Sequence, residues 1–245
     1  MATQTVPVFA VQRAADRAFF DFGWLRTHHS FSFGDYVDPA NTNWGALRVF
    51  NDDTVLAGQG FPTHPHRDME IVTYVLHGEL EHRDSLGHHG VVAPGGVQYV
   101  SAGSGVRHSE FNHSTERDVH FVQMWVLPRN PGGVPGYGQR SFEAAERHNR
   151  WLVVAGGEPA VEAPVALNAD ATLRVARLEG GRVTHAFASS RYGFLFVAGG
   201  EVTANGTPLG AGDAVRMQGG RELEVAGSGE LILWDVPPAA EAGGA

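Results

Sequence analysis

Glycine does most to limit what this chain can become. Its 32 glycines and 13 prolines fall as turn signals about every eight to twelve residues, which suits short strands joined by tight turns and leaves little room for the long helices of a bundle. The runs between turns read as strands. His28–Tyr36 (HHSFSFGDY) alternates apolar and polar residues, Leu47–Leu56 leads toward Gly58 and Gly60, and Met69–Leu76 is almost wholly apolar or β-forming. Val97–Ser101 and His120–Leu127 continue the pattern. Thr172–Leu178, Arg182–Phe187, Tyr192–Val197, Glu201–Ala204, Ala214–Met217, Glu222–Val225 and Glu230–Val236 repeat it in the second half. Between the halves lies Pro128–Gly138 (PRNPGGVPGYG), the expected linker, followed by Gln139–Arg150, where a short helix is expected. Glu79-Leu80 after His77-Gly78 parallels Glu201-Val202 after Gly199-Gly200. We read this as a weak internal repeat of two related β-units. The small-residue tail Ala239–Ala245 is expected to fray.

Composition removes several functions. The 18 basic residues are all Arg and face 27 acidic ones, a net charge of −9, which argues against sequence-independent binding to DNA or RNA. With 42% hydrophobic and 18% charged residues a solid core is expected. No apolar run approaches the roughly 20 residues of a membrane helix. Met1–Phe9 shows no positive region followed by an apolar stretch. The expectation is a soluble, cytoplasmic protein with no membrane partner. Zero cysteines exclude disulfides, thiolate nucleophiles and Cys-type metal sites. No Gly-x-Ser-x-Gly elbow supports a serine hydrolase, and Leu178–Gly181 does not open a helix as a phosphate loop must.

Histidine is the unusual residue: 11 of 13 lie between His28 and His120. Two segments carry them in a telling pattern. Gly58–Glu70 (GQGFPTHPHRDME) holds His64, His66 and Glu70, and Ala102–Asn112 (AGSGVRHSEFN) holds His108 and Glu110. Residues two apart on a strand share a face, so His64 and His66 project together, as do His108 and Glu110. Side by side, the two strands would gather three imidazoles and a carboxylate, a donor set for Fe, Mn, Co, Ni, Cu or Zn. A lone strand histidine is usually an ordinary hydrogen-bonded residue; two such pairs are less easily accidental. Pro65 places the first strand at an edge or makes it irregular. His77, His82, His88, His89 and His113 fall near turns and read as solvated or locally hydrogen-bonded, whereas His28, His29 and His120 lie in strand-like runs.

These residues carry a resemblance. Gly58-x5-His64-x-His66-x3-Glu70 and Gly105-x2-His108-x3-Asn112 resemble the two cupin motifs, and THPHRDMEIVTYVLHGELEHRDSLGH with SAGSGVRHSEFN resembles the pirin family, especially short bacterial pirin-like proteins with quercetin 2,3-dioxygenase activity. SFSFGDYVDP, ALRVFNDD and LILWDVPP also fit. The resemblance implies a bicupin, two tandem cupin-type β-barrels (double-stranded β-helices) joined by a linker with a short helix. It places a metal-binding barrel at 1–137 and a barrel without ligands at 138–245. It also implies His64, His66, His108 and Glu110 as ligands of one divalent metal, foremost Fe(II). Glu110 is the expected catalytic base, with Glu70 and Arg107 around the centre. Glu70 is ambiguous: in cupins generally the corresponding Glu binds metal, yet here it is expected to orient an imidazole. Arg107 could steer an anionic substrate, though an exposed surface role fits an Arg equally.

The function expected on this basis is dioxygen-dependent cleavage of a flavonol such as quercetin by a monomer. The rivals are a regulatory metal protein acting on a protein partner, and an isomerase or decarboxylase that needs no oxygen.

Overall fold

The computed structural model describes residues 8–239; most of the small-residue tail lies outside them. Among these residues the first half supplies β1 (Val8–Gln12), β2 (Ala18–Asp21), β3 (Leu25–His29), β4 (Leu47–Val55), β5 (Gly60–His66) and β6 (Glu70–His77). It continues with β7 (Leu80–Asp84), β8 (His89–Val92), β9 (Val97–Ser101), β10 (Val106–Asn112), β11 (Val119–Val126) and β12 (Gly136–Arg140). The second half supplies β13 (Leu152–Gly156), β14 (Thr172–Ala186), β15 (Tyr192–Ala204), β16 (Thr207–Gly210), β17 (Ala214–Gln218) and β18 (Glu222–Val236). The molecule is nearly all-β, as expected. The short helix expected in Gln139–Arg150 is a single 3-10 turn, Ala144–Arg147. No helix of the described residues is long and apolar enough to cross a membrane.

In the first half a seven-stranded sheet, ordered β12-β9-β6-β11-β4-β3-β2, faces a four-stranded sheet, ordered β5-β10-β7-β8. Leu25, Val55, Val75 and Phe121 from the large sheet meet Leu80 and Val92 from the small one in one buried cluster. The small sheet ends at β5, because Pro62 and Pro65 remove two of its backbone donors. Hydrogen bonding therefore does not run round into a closed barrel. The second half is one sheet in which β14, β15 and β18 bend at irregular register between Leu178 and Gly181 and between Val197 and Gly199. Those bends let a single sheet curl around an apolar interior that includes Leu195, Leu223, Leu231 and Leu233.

The halves are packed back to back. β6 is buried on both faces through six successive residues, one face toward its own interior and the other toward the second half. Phe50 lies against Phe194 and Phe196 with ring centroids 4.8 and 4.9 Å apart. The Trp234 indole nitrogen donates to Met124 Sδ at 3.0 Å. Each aromatic pair contributes about 0.5–1.5 kcal/mol beyond the area it buries. The chain also crosses between the halves: β1 pairs with β17 of the second sheet, and Arg13 binds Asp213 at 2.7 Å. A division at 137/138 passes through β12, which pairs with β9 of the first half.

The repeat seen in the sequence has a backbone cause. Gly78 and Gly200 both adopt positive φ, +73° and +84°. A side chain at Gly78 would strike the Asp118 carbonyl at 2.6 Å, and one at Gly200 would strike the Ser228 carbonyl. Each Gly-Glu step thus needs its glycine for conformation and for clearance. One strand reading needs correction. His28–Tyr36 is not a continuous strand; β3 ends at His29, and Phe33 and Tyr36 bridge each other across a turn in which Gly34 takes φ +55°.

Candidate metal centre

β10 is the axis of the site. It alternates buried and outward-facing residues, with Val106, His108, Glu110 and Asn112 inside. On one side it pairs with β5, so that His108 sits directly opposite His64, and the register shifts between His108 and Glu110. On the other side it pairs with β7, so that Glu110 sits opposite His82. Two distant dipeptide patterns thereby meet. Ring centroids of His64, His66 and His108 lie 4.6–4.8 Å apart, and one donor nitrogen from each lies within 4.8 Å of the others. A second group, His82, His108 and Glu110, meets the same limit on the other side of His108.

The hydrogen bonds assign the imidazole tautomers. Burial opposes ionisation of Asp84, but donors from His88 and His82 outweigh it and hold the carboxyl below its ordinary value, so it can only accept. His82, kept neutral by burial, therefore donates from Nε2 to Asp84 Oδ2 at 3.2 Å and leaves Nδ1 as an acceptor. His108 Nδ1 faces that acceptor at 3.4 Å and donates to it, so its Nε2 keeps the lone pair. From the other end, His64 Nδ1 donates to the Pro62 carbonyl at 2.8 Å, which leaves the lone pair on its own Nε2. The two Nε2 atoms face each other 3.1 Å apart. Two lone pairs at that distance repel unless a proton or a cation lies between them, and with the His66 imidazole also within 4.8 Å the donor set fits a divalent cation.

Glu110 is buried, 2% exposed. Gln98 donates to its Oε1 at 2.5 Å and Gln123 to its Oε2 at 2.7 Å. Burial alone would raise this carboxyl, yet His108 and the Gln123 hydrogen bond together hold it below the ordinary value. Burial, reinforced by His108 and His64, lowers His66 to about 4. Burial thus favours neutral imidazoles at His66 and His108 beside an ionised Glu110, the protonation states a metal ligand needs.

The other expected residues lie elsewhere. Glu70 is buried and accepts from Ser101 at 2.7 Å, Tyr99 at 3.0 Å and the Asn168 backbone at 2.9 Å. Its partners tie β6 to β9 and to the second half, and no imidazole is among them. Arg107 points outward between His108 and Val106 and lines a surface groove with Pro65, Arg67 and Ser85. His82, read from the sequence as solvated or locally hydrogen-bonded, is fully buried and bonds locally to Asp84; its place at the centre is not evident from the sequence, nor are those of Asp84, Gln98 and Gln123. Only the parity of the EHRD segment hinted at His82, and that parity acquires meaning only once β7 is placed against β10.

A cavity of about 390 Å³ opens on the cluster. Phe20, Phe22, Phe33, Phe61 and Trp125 form much of its wall beside His64, His66 and Glu110. His66 and Trp125 meet edge to face at 4.8 Å.

Comparisons with known proteins identify the family. The pirin family profile matches residues 9–126. The profile of the quercetinase C-terminal cupin domain matches residues 152–236. The chain belongs to the pirin family. As a pirin it carries two cupin domains. It is 38% identical over 231 residues to the quercetin 2,3-dioxygenase of Escherichia coli K12, covering 93% of this chain and 98% of that one. It is 40% identical over 218 residues to a pirin-like protein of Caulobacter vibrioides, covering 88% and 94%. The crystal structure of the bacterial pirin YhhW from Escherichia coli in complex with nickel(II) superposes with a TM-score of 0.87 at 36% identity, covering 95% of this chain and all of that one.

Proposed function

We propose that this pirin is a metal-dependent dioxygenase that cleaves flavonol-type polyphenols, with one divalent metal held by His64, His66, His108 and Glu110. The observation that carries the reading is the pair of opposed Nε2 atoms of His64 and His108, 3.1 Å apart, beside an aromatic-walled cavity of about 390 Å³. That volume lies within the usual range for small-molecule sites. The similarity to the Escherichia coli quercetin 2,3-dioxygenase supports the substrate class, and the nickel(II) complex of YhhW supports a divalent ion. Three nitrogens and one carboxylate oxygen suit a first-row metal, and iron(II) is the ion we propose. A bound metal would supply Lewis acidity toward a substrate hydroxyl and electron exchange with dioxygen.

The protein's own groups do the rest. The Asp84–His82 pair fixes which nitrogen of His108 is free, and the Pro62 carbonyl does the same for His64. Phe20, Phe22, Phe33, Phe61 and Trp125 admit a flat aromatic body and exclude water from it, which strengthens every charge interaction at the floor. Glu110 is the base, receiving the hydroxyl proton on a carboxylate oxygen. With both oxygens accepting from amides it is a weak base, so one amide must let go. Gln98 is suited to this because its own Oε1 has no partner; rotation of its amide would turn a donor into an acceptor for the new carboxyl proton.

Oxygen uptake with quercetin, after loading each candidate metal into the chelator-stripped protein, tests the reading. Glu110→Gln is expected to fold and to retain much of its metal, since Gln98 can rotate to match it, while turnover falls by about 10²–10⁴. Wild-type turnover in that variant, or no uptake with any metal bound, would contradict the proposal.

A further inference from the structure

The cavity has a second polar region that the metal centre does not use. It sits on β3 and β4 of the large sheet, whereas the imidazoles come from β5 and β10 of the small sheet. In register, Thr27 is opposite Asp53 and His29 is opposite Asn51. All four line the cavity, and His29, Asn51 and Asp53 are 5%, 3% and 4% exposed. His29 Nδ1, Asn51 Oδ1 and Asp53 Oδ1 have no hydrogen-bond partner in the protein. An orphaned buried polar atom is costly, so three on one cavity wall amount to a substantial unmet demand. Burial is the main cause that pushes the Asp53 carboxyl up to about 7; Thr27 opposes the rise, and the Asp52 and Glu110 charges add to it.

Aromatic rings frame the patch. Phe20 lies 5.3 Å from the His29 ring, Phe33 meets His29 edge-on at 5.3 Å, and Trp125 meets Phe33 edge-on at 5.3 Å. A planar ligand filling the space between the sheets would meet imidazoles on one side and these unmet groups on the other.

We propose that His29, Asn51 and Asp53 form a recognition subsite for hydroxyl groups on a substrate ring other than the one engaged at the imidazoles, so that the cavity selects polyhydroxylated over plain aromatic substrates. This rests on the reading of the cavity as a polyphenol site and adds where its specificity lies. A phenolic O–H donates one hydrogen bond and accepts another. Asn51 Oδ1 and Asp53 Oδ1 accept, while His29 Nδ1 serves in either role. A ligand lacking the ring hydroxyls would leave all three atoms buried and unpaired, which is the strongest form of discrimination a polar pocket has.

The test is a matched pair of ligands titrated calorimetrically, under nitrogen, into the full metal-loaded chain: quercetin, with hydroxyls on both ring systems, and 3-hydroxyflavone, which keeps only the central one. Wild type should prefer quercetin by about 10–100-fold. Asp53→Leu and Asn51→Leu should each cut that ratio by about two- to fivefold, and the double variant further, while leaving 3-hydroxyflavone binding in place, which also shows that the cavity is intact. Asp53→Asn, which keeps an acceptor, should retain most of the preference. Equal wild-type affinities, a ratio unmoved in both leucine variants, or no binding of either ligand would overturn the proposal. A preserved ratio in a protein that consumes no oxygen would support this subsite and count against the catalytic reading instead.

Discussion

The two halves of this pirin follow one plan and fill it differently. In the second half the strands close around leucines and valines, among them Leu195, Val197, Leu223 and Leu231. In the first half the same kind of space holds histidines, a glutamate and two glutamines, and it stays open as a cavity. Among the described residues, clusters of metal-ligating side chains occur only in the first half. The second half contains His148 and His185, and His185 is paired with Asp235 at 2.9 Å. The fold therefore does not require a polar interior. An apolar one closes the second half without it, so the first half's polar residues are kept at a cost in burial and are explained by what they bind.

The sharpest way to break the comparison is His108→Ala. Both clusters meet on this imidazole, so its loss should weaken metal binding by more than about 10²-fold and end oxygen uptake, checked by competition with a chromophoric chelator. Next is the seam between the halves. Phe194→Ala removes a fully buried ring and should cost about 3–5 kcal/mol, read as a lower midpoint in a single denaturant transition followed by both far-UV and tryptophan signals. Two separated transitions would show the halves to be independent units. A smaller effect is expected from Asp84→Asn, which unsettles the His82–His108 tautomers from one step away: metal affinity should drop about 10–100-fold with the fold unchanged.

The smallest expected effect is a pH dependence. His29 and His66 are each lowered to about 4, mainly by burial. Between about 4 and 6.5 the unfolded chain therefore binds the more protons, and stability should rise with pH. Asp53, raised to about 7, acts oppositely over about 4 to 7 and blunts the rise. Thermal midpoints of the chelator-stripped protein across this range should climb, and Asp53→Asn should make the climb steeper. A flat profile in both proteins would contradict these assignments.

Much of this was legible from the chain. Strand parity alone put His64 with His66 and His108 with Glu110, because a period of two survives any uncertainty about where the strands lie. Pro65 marks β5 as an edge or irregular strand, and it is both. What escaped depended on register between distant strands. His82 looks like a turn residue until β7 is laid beside β10, and Asn51 and Asp53 look like surface polar residues until β5 and β10 of the facing sheet close the cavity over them. The alternation of His28–Tyr36 misled for a related reason. Phe31 is buried between the halves and Phe33 lines the cavity, so two different neighbours, not one strand, account for the pattern.

Everything here turns on where one ion sits. Anomalous diffraction at the absorption edge of the loaded metal, on crystals of wild type and of a His64→Ala/His66→Ala variant, locates it directly. A single wild-type peak bounded by His64, His66, His108 and Glu110 is expected, and none in the variant. A peak that persists in the variant between His82, His108 and Glu110 would place the metal on the other side of β10 and contradict the site described.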